Sequence, residues 1–228
     1  MRSFSQLEVH LGRHHRESTR KAFLIRSCAV CSYIERHLAT STFPVERSRL
    51  NIVCLTGTEQ PKIRPYEHQK YILGVEIPYA MPAVSKLSLA ELHKHYRQVI
   101  SDGLEAASEY MPVPYEFCMT KLDDFCRKGY VNQWIVEDKT WTRLALRSTI
   151  TARVNTERFS LQQTIWSKGV RVANQVVANC SPRQFLWYQY LGKAVVNSAG
   201  EIILRRGNSV ISVFDPNRRV FSKTSCDV

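Results

Sequence analysis

Polar and apolar residues alternate along residues 143–154, "RLALRSTITARV". The first side consists of Leu144, Leu146, Ser148, Ile150, Ala152 and Val154, and the second carries Arg143, Arg147 and Arg153. A period of two residues is typical of a strand with one buried face. We therefore predict a strand that presents arginines on its outer face.

Two turn signals predict further strands nearby. Ser167-Lys168-Gly169 separates "FSLQQTIW" from "VRVANQVVA", and Gly207-Asn208 separates "EIILRR" from "SVISVFD". Short turns of this kind join antiparallel strands. Residues 129–221 are therefore predicted to be mostly strands, and the polar tail after Phe221 is expected to fray.

Helical spacing is found earlier in the chain. Phe23, Val30, Ile34 and Leu38 lie on one stripe, which predicts a helix over about 17–39. Ser88 followed by Glu91 has the spacing of a capping box and opens an apolar stripe that begins at Leu89. A shorter helix follows and ends at Gly129, where glycine suits a helix terminus.

The remaining apolar runs near 4–11, 49–57 and 70–80 are predicted strands, whereas the two prolines of 56–69 favour a loop. The fold class is then α+β, a mainly antiparallel sheet with a helical middle segment packed against it. We expect a single domain over 1–228, with an α/β-rich part at 1–128 and a strand-rich part at 129–221 as a sub-division.

The stretch "SPRQFLWYQYLGK" at 181–193 is dense in aromatic residues. Ser181 as N-cap and Pro182 in the first turn predict a short helix. Apolar side chains would then point in almost every direction, which favours burial in the core over a partner-binding face. A stacking platform for nucleic acid is the third interpretation, since stacking needs exposed aromatic residues.

The net charge of +12 is concentrated toward the end of the chain. Residues 141–228 hold ten Arg and three Lys against four Asp or Glu. The middle segment, 87–140, has a net charge of −3. A basic field of this kind attracts nucleic acid, an acidic protein face or a membrane surface.

The seven cysteines do not predict a metal or a cofactor. Cys28 and Cys31 form the one close pair, and a zinc site usually needs a second pair of ligands. We expect both on one face of a helix, with reduced thiols. His93 and His95 are two residues apart and diverge on a helix, so we expect solvent-facing rings and no shared metal.

Catalytic signatures are missing from the sequence. It has no phosphate-binding loop, no glycine-rich dinucleotide fingerprint, no H-E-x-x-H and no G-x-S-x-G. The cluster "LGRHHRE", with His14 and His15, is the most enzyme-like stretch, although a solvated basic loop is the simpler interpretation. No apolar run has the length of a transmembrane helix or a signal-peptide core. The sequence predicts a soluble cytoplasmic protein that is not an enzyme and does not bind a membrane.

Residues 70–134 pass from a strand through a proline-bearing link to the helix "LSLAELHKHY" and a shorter second helix. In this pattern the stretch resembles the middle of bacterial immunity proteins that neutralise polymorphic or Rhs-type toxins. The resemblance implies a binding protein that occludes the active site of a cognate toxin. Because this chain is basic, that toxin should present an acidic or anion-binding face, such as a site for NAD or a nucleotide.

The candidate partner-binding residues are arginines of the strand-rich part and three anchors. They are Arg143, Arg147, Arg153, Arg158 and Arg171, with Trp166, Arg183 and Trp187 as anchors. Tryptophan and arginine are the residues that most often dominate binding energy in protein interfaces. The alternative is a nucleic-acid-binding protein, or an RNA-acting enzyme that uses His14 or His15.

Overall fold

A computed structural model of the chain describes residues 2–66, 68–80, 87–183 and 188–226. Their Cα positions divide into two units, Met1–Asn132 and Gln133–Val228. This division lies four residues after the sub-division that the sequence suggests, and the helix-containing part is the first unit. The α+β fold class with mainly antiparallel sheets is confirmed.

In its described residues the first unit combines a small sheet with three α-helices. Its strands are β1 (Arg2–Ser3), β2 (Gln6–Leu11), β3 (Pro44–Val45), β4 (Arg49–Leu55), β5 (Lys62–Pro65) and β6 (Ile72–Pro78). Its helices are α1 (Glu17–Leu38), α2 (Leu89–Ser108) and α3 (Tyr115–Arg127). The main sheet has the order β2-β4-β6-β5, in which the first three strands are parallel and β5 is antiparallel. β1 and β3 form a separate antiparallel pair.

The helices begin and end close to the predicted positions. The capping box of α2 is present, because the Ser88 side chain accepts from the Glu91 backbone N–H while the Glu91 carboxylate accepts from the Ser88 N–H. The sheet under the helical middle segment is mixed. α2 packs on β4 and β6, which are parallel, and on β5, which is antiparallel to β6. The crossover through α1 makes β2 and β4 parallel, and no local residue pattern signals this.

Two strands lie where the sequence predicts irregular chain. β5 occupies part of the predicted loop, because an edge strand tolerates Pro61 just before it and Pro65 as its last residue. β14 (Val220–Cys226) occupies the predicted frayed tail. It pairs with β13 (Ser209–Asp215) and, at its end, with β10 (Val170–Cys180), so backbone hydrogen bonds order a polar sequence.

The aromatic stretch at 181–193 is only partly described. Pro182 lies in a bend and not in the first turn of a helix, and Tyr188–Tyr190 forms a 3₁₀ helix. The rest of the predicted helix, including Phe185 and Leu186, lies outside the described residues.

None of the cysteines whose side chains are described forms a disulfide, namely Cys28, Cys31, Cys54, Cys118, Cys126 and Cys180. Cys28 and Cys31 lie on α1, as predicted. Across the described ranges, no helix is long and apolar enough to cross a membrane.

Two carboxyl groups of the first unit have opposite pKa shifts. Burial alone would raise the pKa of Glu8, but contacts with His10 and Arg49 outweigh it and lower the pKa to about 2. Glu35 on α1 is 6% exposed, and burial raises its pKa to about 8. Its Oε1 accepts a hydrogen bond of 2.9 Å from the backbone N–H of Leu7. The Glu35 carboxyl is therefore protonated at neutral pH.

The second unit is a sheet of eight strands. These are β7 (Asn132–Trp141), β8 (Leu146–Val154), β9 (Phe159–Ser167), β10, β11 (Lys193–Val196), β12 (Ile202–Arg206), β13 and β14. Their order is β11-β12-β13-β14-β10-β9-β8-β7. β10 pairs with β14 in parallel, whereas β11-β12, β12-β13, β13-β14, β10-β9 and β9-β8 are antiparallel pairs. Both predicted hairpins are confirmed. Of the predicted turn Ser167-Lys168-Gly169, the last two residues form the loop while Ser167 ends β9, and Gly207-Asn208 joins β12 to β13.

The sheet is curved, so side chains of the edge strand β7 reach the backbone of the opposite edge strand, β11. Glu137 of β7 accepts a 2.7 Å hydrogen bond from the Ala194 backbone N–H of β11, and Lys139 donates a 3.2 Å bond to the Ala194 carbonyl. Both backbone groups of Ala194 are thus satisfied by side chains of the opposite edge strand, which limits further strand pairing at this position.

The inner face of β8 and β9 carries two buried polar residues, Ser148 and Gln163, among apolar ones. The Gln163 amide donates to the Ser148 hydroxyl at 3.1 Å and accepts from the Ser212 hydroxyl at 2.6 Å, and all three residues are fully buried. This network joins β8, β9 and β13, and the curvature of the sheet is what brings Ser212 within reach.

Replacing Gln163 by Ala should lower the free energy of unfolding of the second unit by about 3–5 kcal/mol. The change removes buried volume and leaves two buried hydroxyls without their partner. Gln162→Ala, on the outer face of the same strand, is the matched control and should cost under about 1 kcal/mol. Tryptophan fluorescence during urea unfolding measures both, because all four tryptophans lie in this unit. An equal loss of unfolding free energy in the two variants would contradict a stabilising role of the Gln163 network.

Candidate binding surface of the strand-rich unit

Three of the predicted residues form a row across three strands. In the strand register Arg147 of β8 lies opposite Trp166 of β9, and Arg171 of β10 lies opposite Trp166 on its other side. Directly opposed residues point to the same face, about 5 Å apart. The alternation of β8 buries Leu146 and Ser148, so Arg147 faces outward. Trp166 and Arg171, its neighbours across the strands, share that outer face. We call this outer surface, with the groove beside it, the Trp166 face.

The hairpin between β9 and β10 fixes this register. Lys168 and Gly169 form a two-residue loop, and both have positive φ, 49° and 80°. This combination is that of a type I′ turn, whose twist matches that of the strands. Glycine suits the second position because it has no Cβ to oppose a positive φ. The turn therefore places Lys168 beside the row of Arg147, Trp166 and Arg171.

Arg147 is held by a carboxylate of the neighbouring strand. Its Nε donates to Asp138 Oδ1 at 2.6 Å, and its Nη2 donates to Asp138 Oδ2. The bonds from Arg147 hold the pKa of Asp138 below its ordinary value. Two parallel bonds also fix the guanidinium plane. The surface therefore presents one neutralised arginine, Arg147, and two cations, Lys168 and Arg171, for which no carboxylate partner is found within the described part of the chain.

A groove of about 680 Å³ opens next to Trp166. It is lined by Trp166 and Arg147, by threonine and apolar groups, and by the hairpin turn: Thr140, Thr142, Ala145, Leu146, Thr149, Lys168 and Gly169. Trp166 is half-buried, and its indole N–H has no acceptor among the described residues. The groove thus combines an aromatic anchor with hydroxyl donors and acceptors, a mixture suited to a protein interface.

The other predicted residues lie elsewhere on the unit. Arg153 is on the outer face of β8, six residues from Arg147, which corresponds to about 20 Å along a strand. Arg158 is in the turn before β9, at the same end of the β8-β9 pair as Arg153. Arg143 is exposed in the 3₁₀ helix Thr142–Leu144, near the groove. Arg183 follows the end of β10 and is half-buried.

Trp187 lies outside the described residues, so its prediction is not tested. The eight candidates therefore do not form one cluster: Arg147, Trp166 and Arg171 share a row, whereas Arg153 and Arg158 lie at the far end of the strands.

Sequence reasoning missed Asp138 and the lining threonines. Asp138 lies in "VEDKT", a pattern that indicates only an acidic position on a strand. The residue that Asp138 binds is set by the pairing of β7 with β8. Lys168 was recognised as a turn residue but not as a neighbour of Trp166. The turn position together with the hairpin register was the signal that could have identified it.

The histidine cluster of the first unit has the contacts of a structural loop. His14 Nε2 lies 2.8 Å from the Thr56 hydroxyl, and the rings of His14 and His15 are 4.1 Å apart. Within the described residues no hydrogen bond or ion pair joins either ring to a carboxylate, and no group of three metal-ligating side chains is found.

Comparison with known proteins adds no relative: no family model matches the chain, and no curated protein or solved structure matches it.

Proposed function

We propose that this chain is a non-enzymatic binding protein that docks its Trp166 face on an acidic surface of a protein partner. The observation that carries the proposal is the row of Arg147, Trp166 and Arg171 beside an open groove. Interfaces take most of their affinity from a few central aromatic and arginine side chains set in pockets.

Charge favours a protein over a nucleic acid as the partner. The second unit has 14 Lys or Arg against 6 Asp or Glu, a net charge of +8, which would attract either kind of polyanion. At the groove, however, Asp138 already neutralises Arg147. Nucleic-acid affinity depends on many cations contacting successive phosphates, and a carboxylate in the middle of the surface opposes that. An acidic protein face with an apolar insertion fits the groove better.

The resemblance of residues 70–134 to immunity proteins supports the class of partner. On that basis we propose that the partner is a bacterial toxin with an acidic or anion-binding site, which the chain occludes in the cytoplasm. The resembling stretch lies mainly in the first unit, whereas the Trp166 face belongs to the second. In this proposal the first unit supports the molecule and is not the contact surface.

Site-specific photo-cross-linking tests the proposal. A benzophenone amino acid at Thr149, which lines the groove, should cross-link one protein partner in the native cell, identified by mass spectrometry. The same amino acid at Asn217, exposed in the turn before β14, is the matched control and should not. Cross-links to nucleic acid from Thr149 would favour the alternative. Equal protein cross-linking from both positions would show that the groove is not the contact surface.

A further inference from the structure

A second cavity lies within the first unit, between the beginning of α2 and the end of α3. Its volume is about 250 Å³. The lining residues that are buried are Val30, His93, Leu122 and Phe125. The lining residues that are exposed are Ala90, Glu91, Lys94 and Cys126, while Arg97 and Tyr130 are half-buried. The cavity therefore has an apolar, aromatic interior and a polar entrance.

Three rings form one side of the cavity. The ring of His93 stacks on Tyr130, with centroids 4.6 Å apart and an angle of 15° between the planes. Phe125 meets the edge of His93 at 5.0 Å and that of Tyr130 at 5.6 Å. Stacked and edge-to-face rings leave faces and edges that suit another flat ring.

The backbone at Tyr130 is held in an unfavourable conformation. Its φ is 62°, the left-handed region that a bulky residue rarely adopts. A hydrogen bond of 2.9 Å from the Tyr130 N–H to the Phe125 carbonyl ends α3 and fixes this position. Strained residues cluster at ligand sites, where the surrounding structure stabilises them. In this backbone conformation the Tyr130 ring lies against His93.

The histidine contradicts the expectation from sequence. His93 is 3% exposed and does not face solvent, and burial lowers its pKa to about 4. The imidazole is therefore neutral at neutral pH, and its Nδ1 has no hydrogen-bond partner among the described residues. Buried polar atoms are normally paired. A ligand that carries a hydrogen-bonding group can pair with this ring.

The charges at the entrance favour an anion. Arg97 is bound to Asp123, with 3.0 Å between Nε and Oδ1. The Glu91 carboxylate is turned to the beginning of α2, where it accepts from the Ser88 N–H and hydroxyl. Lys94 has no carboxylate partner within the described part of the chain. It is thus the lining cation that remains available to a ligand.

We propose that this cavity is a binding site for a small aromatic carboxylate of one or two rings. The ring lies against His93, Phe125 and Tyr130, and the carboxylate pairs with Lys94. The size agrees, since a dry apolar cavity of about 150 Å³ already binds benzene. This site is independent of the Trp166 face and of the function proposed for it.

Binding of 2-naphthoate to the full chain tests the proposal. Calorimetry should detect saturable binding, and the ligand should slow the alkylation of Cys126 by N-ethylmaleimide at least about fivefold, measured by mass spectrometry of its peptide, because an occupied site blocks the thiol. The neutral analogue 2-naphthamide should bind about threefold to tenfold more weakly, since it lacks the charge that Lys94 pairs with. Trp166→Ala should bind 2-naphthoate as the wild type does.

Substitutions at two exposed lining residues, with one control, test where 2-naphthoate binds. Ala90→Leu should fill the entrance and weaken binding at least about tenfold, whereas Leu89→Ala, one residue earlier and outside the lining, should leave it unchanged. Lys94→Gln should weaken binding of the acid and not of the amide. The proposal is overturned if millimolar 2-naphthoate gives neither heat nor protection, or if Ala90→Leu binds normally. Equal binding of acid and amide would overturn the carboxylate assignment.

Discussion

Trp166→Ala should speed dissociation of the protein partner by about 30-fold to 1,000-fold, equivalent to about 2–4 kcal/mol. Trp166 lies at the centre of the row, with Arg147 and Arg171 on either side and the groove beside it. Truncation removes the largest apolar surface of the row while leaving the inner face of β9 intact. The effect should appear in the dissociation rate, because interface mutations act mostly there.

Surface plasmon resonance with the partner identified by cross-linking measures this rate. Arg153→Ala, on the same face of β8 but about 20 Å from Arg147, is the control and should change dissociation less than about threefold. Arg171→Glu should mainly slow association and alter its salt dependence, since it reverses a steering charge. Unchanged dissociation of Trp166→Ala would show that the anchor lies elsewhere.

Glu35→Gln should stabilise the first unit by roughly 3–5 kcal/mol at pH 9 and by much less at pH 5. The folded-state pKa of Glu35 is about 8, above its ordinary value of 4.5. Between these values the unfolded chain loses a proton that the folded chain keeps, so stability falls as pH rises, by about 1.4 kcal/mol per unit. Glutamine cannot ionise, and its carbonyl can still accept the hydrogen bond from the Leu7 N–H.

Urea unfolding followed by circular dichroism at 222 nm measures this difference, because the described α-helices all lie in the first unit. The wild type should lose stability between pH 5 and pH 9, whereas Glu35→Gln should lose much less. Glu17→Gln, exposed on the same helix, is the control and should follow the wild type. Parallel pH dependence of wild type and Glu35→Gln would mean that the Glu35 carboxyl is ionised in the folded protein.

Local sequence patterns were enough to predict most of the helices and strands. The capping box at Ser88 and Glu91, the alternation along β8 and the turn at Lys168-Gly169 each depend on residues close in sequence, and each is present. Two strands were missed because pairing can order a segment with weak propensity of its own. They are the edge strand β5, which follows Pro61 and ends with Pro65, and the polar β14, which lies between β13 and β10.

Sequence patterns predicted the candidate sites only within a single strand or helix. Alternation placed Arg147 on an outer face, but its bond to Asp138 depends on the neighbouring strand. Helical spacing separated His93 from His95, but the burial of His93 depends on Phe125 and Tyr130 from the end of α3. The register between strands and the packing between helices are tertiary properties, and a single sequence gives no measure of them.

Affinity capture from the native cell tests the central claim most directly. The wild type, Trp166→Ala and the control Arg153→Ala are compared at low and at about half-molar salt, each with and without nuclease treatment, because salt competes with phosphate contacts. We expect one protein that is retained by the wild type and by Arg153→Ala at both salt concentrations, and that is lost with Trp166→Ala. Recovery of nucleic acid alone, released at the higher salt, would contradict it.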